Sequence, residues 1–159
     1  MPIGKNEEGI TDIFNFDRSL ASIPNRYQKE ILEGFYRLAC EKIGELEKEG
    51  KIDRSYFDYS NSDIEPIENG NWGGYADFYN NIIKVNSKCS FPELLQVIAH
   101  EAIEMKYKGK KDHRDLNKET VYVIGEILRD YRGKDSAFEQ FLEEALWVAK
   151  VKLEYEDRN

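Results

Sequence analysis

The chain has 159 residues, 40% of them hydrophobic and 34% charged, with a formal net charge of −8 at pH 7. That length and apolar content suit one compact domain with a real core, and the acidic balance excludes a general electrostatic hold on nucleic acid or an anionic membrane surface. The 2 cysteines, Cys40 and Cys89, lie far apart outside any CxxC spacing and are too few for a disulfide framework, so reduced thiols in a cytoplasmic protein are expected.

The N-terminus, Met1-Pro2-Ile3-Gly4-Lys5-Asn6-Glu7-Glu8, carries no apolar signal core, and no stretch of the chain approaches the roughly 18 apolar residues of a membrane span. Residues 1–23 hold Ile10, Ile13, Phe14, Phe16 and Leu20 without sustained periodicity and read as an irregular lead-in to a single domain spanning 1–159. A helix is predicted from about Asn25. There Asn25-Arg26-Tyr27-Gln28 has the form of a capping box, and Ile31, Phe35, Leu38, Ala39, Ile43 and Leu46 recur at helical spacing until Gly50.

Residues 52–59 are aromatic-rich and roughly alternating, which predicts a strand, and residues 60–72, with Pro66 and Gly70, predict a loop. Tyr75-Ala76-Asp77-Phe78-Tyr79 and Ile82-Ile83-Lys84-Val85-Asn86 flank Asn80-Asn81, residues that tolerate the positive φ of a two-residue hairpin turn. The next helix is signalled by Ser90-Phe91-Pro92-Glu93, with serine to cap, proline in the first turn and glutamate to reach back. Two more helices follow, one over about 115–131 with Leu116, Val123, Ile124, Ile127 and Leu128 inward, and one from Ser136 through Phe141, Leu142, Ala145, Leu146, Ala149 and Leu153. The predicted fold is α+β: an N-terminal helix, a small antiparallel sheet with a β-hairpin, then three helices.

Chemistry concentrates in Leu94-Leu95-Gln96-Val97-Ile98-Ala99-His100-Glu101-Ala102-Ile103-Glu104, followed by the only other histidine, His113. On a helical wheel Glu101 falls between Val97 and Leu94, beside Met105, so its carboxylate needs a strong partner, a raised pKa or a wet cavity. His100 and Glu104 lie one turn apart on the adjacent stripe, where imidazole and carboxylate can converge on one ion. The third ligand is expected from beyond Gly109, most simply His113, with Asp112, Asp115 or Glu119 as substitutes. A buried Glu101 beside metal-held water would serve as general base. The bland alternatives are a boundary histidine at His100, a surface partner of Lys108 at Glu104 and a helix-start residue at His113.

Residues 75–113 resemble the zincin metallopeptidases, whose helix carries His-Glu-x-x-His after a strand that pairs with an extended substrate. His100 stands at the first ligand and Glu101 at the catalytic glutamate, while Gly109 and His113 look like the turn glycine and distal histidine of the extended motif. Glu104 stands where the second histidine belongs, and the interval to His113 is longer than in the family. The resemblance implies a minimal zincin-like fold, a zinc site or one for iron or manganese at His100, Glu104 and His113, catalysis by Glu101, and a peptide or protein substrate held on the hairpin edge, either 75–79 or 82–86.

Two other classes compete. A non-catalytic interaction domain on the same scaffold would dock a protein on Tyr56, Tyr59, Tyr75 and Tyr79. A metal-dependent nucleic-acid enzyme would use Lys106 to Lys111 and Arg114, against the net charge. Lys106-Tyr107-Lys108-Gly109-Lys110-Lys111 reads first as a solvated helix end. Trp72 beside Gly73 and Gly74 reads as an aromatic anchoring a glycine turn, or as a lip over the site. Glu126 and Glu143-Glu144 offer carboxylates on later helices, which in some zincins supply the distal ligand, and as lone helix residues they read as structural or exposed.

Overall fold

The computed structural model describes residues 29–55, 62–67 and 73–158. The elements are α1 (Lys29–Lys48), β1 (Asp63–Ile67), β2 (Gly74–Asp77), β3 (Ile82–Asn86), α2 (Phe91–Tyr107), α3 (His113–Tyr131) and α4 (Ser136–Arg158). Among the described residues the architecture is α+β, one helix followed by a small sheet and three helices. The lead-in 1–23, the capping box at 25–28, most of the strand predicted over 52–59, and Trp72 lie outside the described residues. No helix among the described residues is long and apolar enough to cross a membrane.

Burial follows the helical periodicity. In α1, Leu32, Phe35, Ala39 and Ile43 are fully covered. The helix ends where Gly50, at φ 72°, turns the chain, with Gly50 N–H donating to the Glu47 carbonyl and Lys51 N–H to that of Leu46. That pair of bonds is the left-handed cap for which glycine carries no steric penalty. Helix α2 is the centre of the molecule, packing against the other three helices and against β2 and β3. Its face of Phe91, Leu94, Leu95, Ile98, Ala99 and Ala102 is wholly buried, and Phe91 meets Phe141 of α4 edge to face with ring centroids 4.9 Å apart. Ser90 caps it as expected: Ser90 Oγ accepts from Glu93 N–H, and Ser90 N–H donates to Glu93 Oε1 at 2.8 Å.

The sheet departs from expectation in two ways. Its order is β1-β3-β2, and β1 pairs with β3 in parallel, so the sheet is mixed rather than antiparallel. Strand β1 also falls inside the segment predicted as a loop. Pro66 masks it in the sequence, but Pro66 sits on an edge strand, where a missing N–H is tolerated, and Ile64 is fully buried. The hairpin of β2 and β3 is present, with residues 78–81 rather than two residues in its turn. Only Asn81 takes positive φ there, at 59°, and the Asp77 carboxylate accepts hydrogen bonds from Asn80 N–H and Nδ2. Since β3 is central, β2 is the edge of the hairpin that remains open to pairing among the described residues.

The basic run after the motif divides: Lys108 and Lys110 are exposed, as a solvated helix end would have them, and Lys106 is not. Lys106 has 0% exposure, and its Nζ bonds the Asp53 carbonyl and the Tyr107 hydroxyl and pairs with Glu47 at 3.2 Å. Tyr107 in turn donates to Glu119 Oε2 at 2.6 Å, and Lys111 pairs with Asp53 and Glu119. Helix periodicity brings Lys106 to the α1 side of α2, and the buried ammonium persists because it is paired.

Candidate active site

A cavity of about 430 Å³ opens between the start of β2, the middle of α2, the start of α3 and the last turns of α4. Each element brings residues to it for a local reason. Gly73 and Gly74 lead into β2, where a Cβ on Gly74 would stand 2.6 Å from the Lys84 carbonyl oxygen and 2.6 Å from Val97 Cγ1, so only glycine lets the strand lie this close to α2. From α2 come Val97 and the polar side chains of Gln96, His100 and Glu101, beside the buried apolar face.

Helix α2 stops at Lys108 and Gly109, at φ 51° and 72°. A Cβ on Gly109 would also meet the Phe78 ring at 3.1 Å, so the turn needs glycine for both conformation and space. The reversal that follows returns the start of α3 to the cavity, placing the His113 ring 5.1 Å from that of His100. Asn117, one turn further along, is 3% exposed and hydrogen-bonds the His100 imidazole. From α4, Val151, Lys152, Tyr155 and Glu156 form one helical face. Glu156 Oε2 lies 3.1 Å from His113 Nδ1, and Lys152 Nζ donates to Gln96 Oε1 at 2.7 Å.

Burial sets the electrostatics. His100 is held down to about 4, first by desolvation and then by the charges of His113 and Lys152, against the Asn117 hydrogen bond that favours protonation. It is a neutral imidazole at pH 7, and among the described residues its buried Nδ1 has no hydrogen-bond partner. Glu101 is pushed up to about 8, first by desolvation and then by repulsion from Glu104, with Lys152 opposing. Glu104 is raised by its own burial, against the attraction of His113.

The predicted residues therefore divide. His100, Glu101 and His113 line one cavity. Glu104 is half-buried and adjoins the group electrostatically, through Glu101 and His113. Of the substitutes, Glu119 is held by Tyr107 and Lys111. Glu126 pairs with Arg129, Glu143 with Arg132, and Glu144 accepts from Gln140. The carboxylate that α4 brings to the histidines is Glu156, which the sequence did not single out, any more than it did Gln96, Asn117, Lys152 or Tyr155. Among the described residues, no three His, Cys, Asp or Glu side chains as placed form a group that could hold a metal ion. Two imidazoles, one with a buried nitrogen unpartnered among the described residues, stand beside carboxylates here, and imidazole and carboxylate are both ordinary ligands of divalent metals.

Comparison with protein-family models, with curated proteins and with solved structures returned no match.

Proposed function

We propose that the cavity is the active site of a metal-dependent hydrolase of the peptidase type. One observation carries the reading: the chain's 2 histidines, on different helices, place their rings 5.1 Å apart beside a buried glutamate. His100 and His113 would hold the metal, with Glu104 or Glu156 as the carboxylate ligand. Zinc suits such donors best, with iron or manganese as alternatives. A divalent ion there supplies Lewis acidity toward a scissile carbonyl and toward the attacking water.

The chain's own residues supply the rest. Glu101, whose pKa is raised by desolvation and by Glu104, is the buried carboxyl of the cavity and, once ionised, would accept a proton from water there. Asn117 orients His100 from one side, and Glu156 orients His113 from another. The open edge of β2, which begins at the cavity, offers backbone groups to an extended peptide. The zincin resemblance of residues 75–113 points the same way.

A second reading rests on Tyr75, Phe78 and Tyr79, which are 41%, 36% and 96% exposed and suit a protein-docking surface without catalysis. Peptide hydrolysis by metal-reconstituted protein separates the two. Glu101→Gln is expected to keep bound metal and lose turnover, and full activity in that variant would overturn the assignment. A wild-type protein that binds metal and cleaves no peptide would favour docking.

A further inference from the structure

Helix α4 carries an apolar ridge on its outer face, and the ridge runs into the cavity. Trp147, Val151 and Tyr155 follow one another at four-residue spacing, so they stand on one side of the helix, and they are 66%, 41% and 66% exposed. Val151 and Tyr155 are also walls of the cavity, whereas Trp147 lies a turn beyond it. The ridge ends there, because on the preceding turn the outer face becomes polar, with Glu143 and Glu144 both exposed. The hydrolase reading leaves this surface unused.

Size and spacing decide what fits it. An aromatic side chain buries about 150–250 Å², so at two-thirds exposure Trp147 and Tyr155 offer roughly 100–170 Å² each, and with Val151 the ridge comes to on the order of 350 Å². A stable dimer needs about 800 Å² from each copy, so the ridge alone does not hold a second chain. From Trp147 to Tyr155 the helix rises about 12 Å, the span of about four residues of extended peptide at roughly 3.3 Å each. Successive ridge side chains stand about 6 Å apart along the axis, and the side chains on one face of an extended peptide recur every second residue, at about 6.6 Å. The flanking charges are of both signs, Lys150 and Lys152 against Glu154 and Glu156, so selection on the ridge is by apolar contact rather than by charge.

Resting on the hydrolase reading and naming its substrate class, we infer that the ridge receives an extended peptide with apolar side chains at alternate positions, held on one side of the bond to be cut. The other side of that bond lies along β2, and the bond itself comes to His100, Glu101 and His113. Such alternation is the pattern of a β-strand with one buried face. The substrate is therefore a chain segment that a folded protein keeps covered and an unfolded one exposes.

The probes are heptapeptides, acetylated and amidated so that neither end is charged: serine with phenylalanine at every second position, an isomer with the phenylalanines adjacent, and serine alone. Each is titrated into the purified full chain and followed by calorimetry and tryptophan emission. The alternating peptide is expected to bind at least about tenfold more tightly than the serine peptide, as burial of apolar side chains requires, and more tightly than its isomer. It is also expected to move the emission to shorter wavelength as Trp147 leaves water. Trp147→Phe is expected to keep the binding and lose that shift. Trp147→Ser, which removes an exposed side chain the core does not need, is expected to lose most of the preference, and Lys150→Ser, exposed beside the ridge, to retain it. No binding, equal binding of the alternating peptide and its isomer, a preference that survives Trp147→Ser, or an emission shift that survives Trp147→Phe would each overturn the inference. So would a wild-type dimer that Trp147→Ser makes monomeric, which gives the ridge to a second copy. Turnover is scored separately: ridge-dependent binding with no peptide cleavage refutes the hydrolase reading and leaves the ridge standing. Cleavage at rates that ignore apolar spacing and Trp147→Ser does the reverse.

Discussion

Glu101→Gln changes one oxygen for an amide nitrogen and removes a titratable group that is 6% exposed. In the folded chain Glu101 titrates at about 8 against an ordinary 4.5, so between those pH values the folded state holds a proton that the unfolded state has lost. Stability falls with rising pH wherever the folded state binds more protons, so this group weakens the fold progressively from pH 4.5 to 8. Integrating the difference to pH 7 gives a cost of about 3 kcal/mol, an upper bound because the cavity admits water to the carboxyl. His100 works in the opposite direction over a lower range. Its folded pKa of about 4 lies below the ordinary 6.5, so the unfolded state binds more protons between them and stability rises with pH there. The two effects oppose each other from pH 4.5 to 6.5, and the net loss emerges from 6.5 to 8. Chemical denaturation of chelator-treated wild type and Glu101→Gln, from pH 4 to 9, isolates the glutamate. The variant is expected to match wild type near pH 4, gain about 1.4 kcal/mol per pH unit above 4.5, and level off past 8. A difference that stays flat with pH would refute the buried, protonated carboxyl.

Other perturbations reach different parts of the account. Gly74→Ala puts a Cβ against the Lys84 carbonyl, a backbone atom that cannot rotate away, and is expected to lower stability by about 1–3 kcal/mol in denaturant titration; Gly73→Ala, which meets only a Val97 methyl at 3.2 Å, should cost less. Lys106→Met leaves Glu47 without its buried cation and removes a donor to the Asp53 carbonyl, for an expected loss of about 3–5 kcal/mol by the same assay, and a neutral result would show that the network is dispensable. Glu156→Gln keeps the shape but removes the charge beside His113, so metal affinity measured by competition with a chelator is expected to fall about 10–100-fold.

Local pattern made much of the fold legible. The capping box at Ser90, the wheel position of Glu101 and the stop at Gly109 all depend on residues within a few turns of one another, and the structure places each accordingly. Strand β1 was hidden because its reason is not local: Pro66 argues against a strand until parallel pairing with β3 puts it at an edge, where Ile64 fills the core. Lys106 was misread for a related cause, since a lysine at a helix end looks solvated unless Glu47 and Asp53 are known to lie across from it. The site shows the same division. His100, Glu101 and His113 stand out in the sequence, whereas Glu156 meets His113 across 43 positions and Lys152 meets Gln96 across 56. On α4 both look like ordinary surface residues, and only the packing of α4 against α2 and α3 turns them toward the cavity.

The most direct test of a metal held between two helices is the metal content of the purified protein after mild dialysis and reconstitution, by elemental mass spectrometry, for wild type, His100→Ala and His113→Ala side by side. About one equivalent of zinc, iron or manganese in wild type, lost in both variants, is the expected result. No metal retained by wild type, or full retention in both variants, would contradict the account and turn attention to the exposed aromatics of the hairpin.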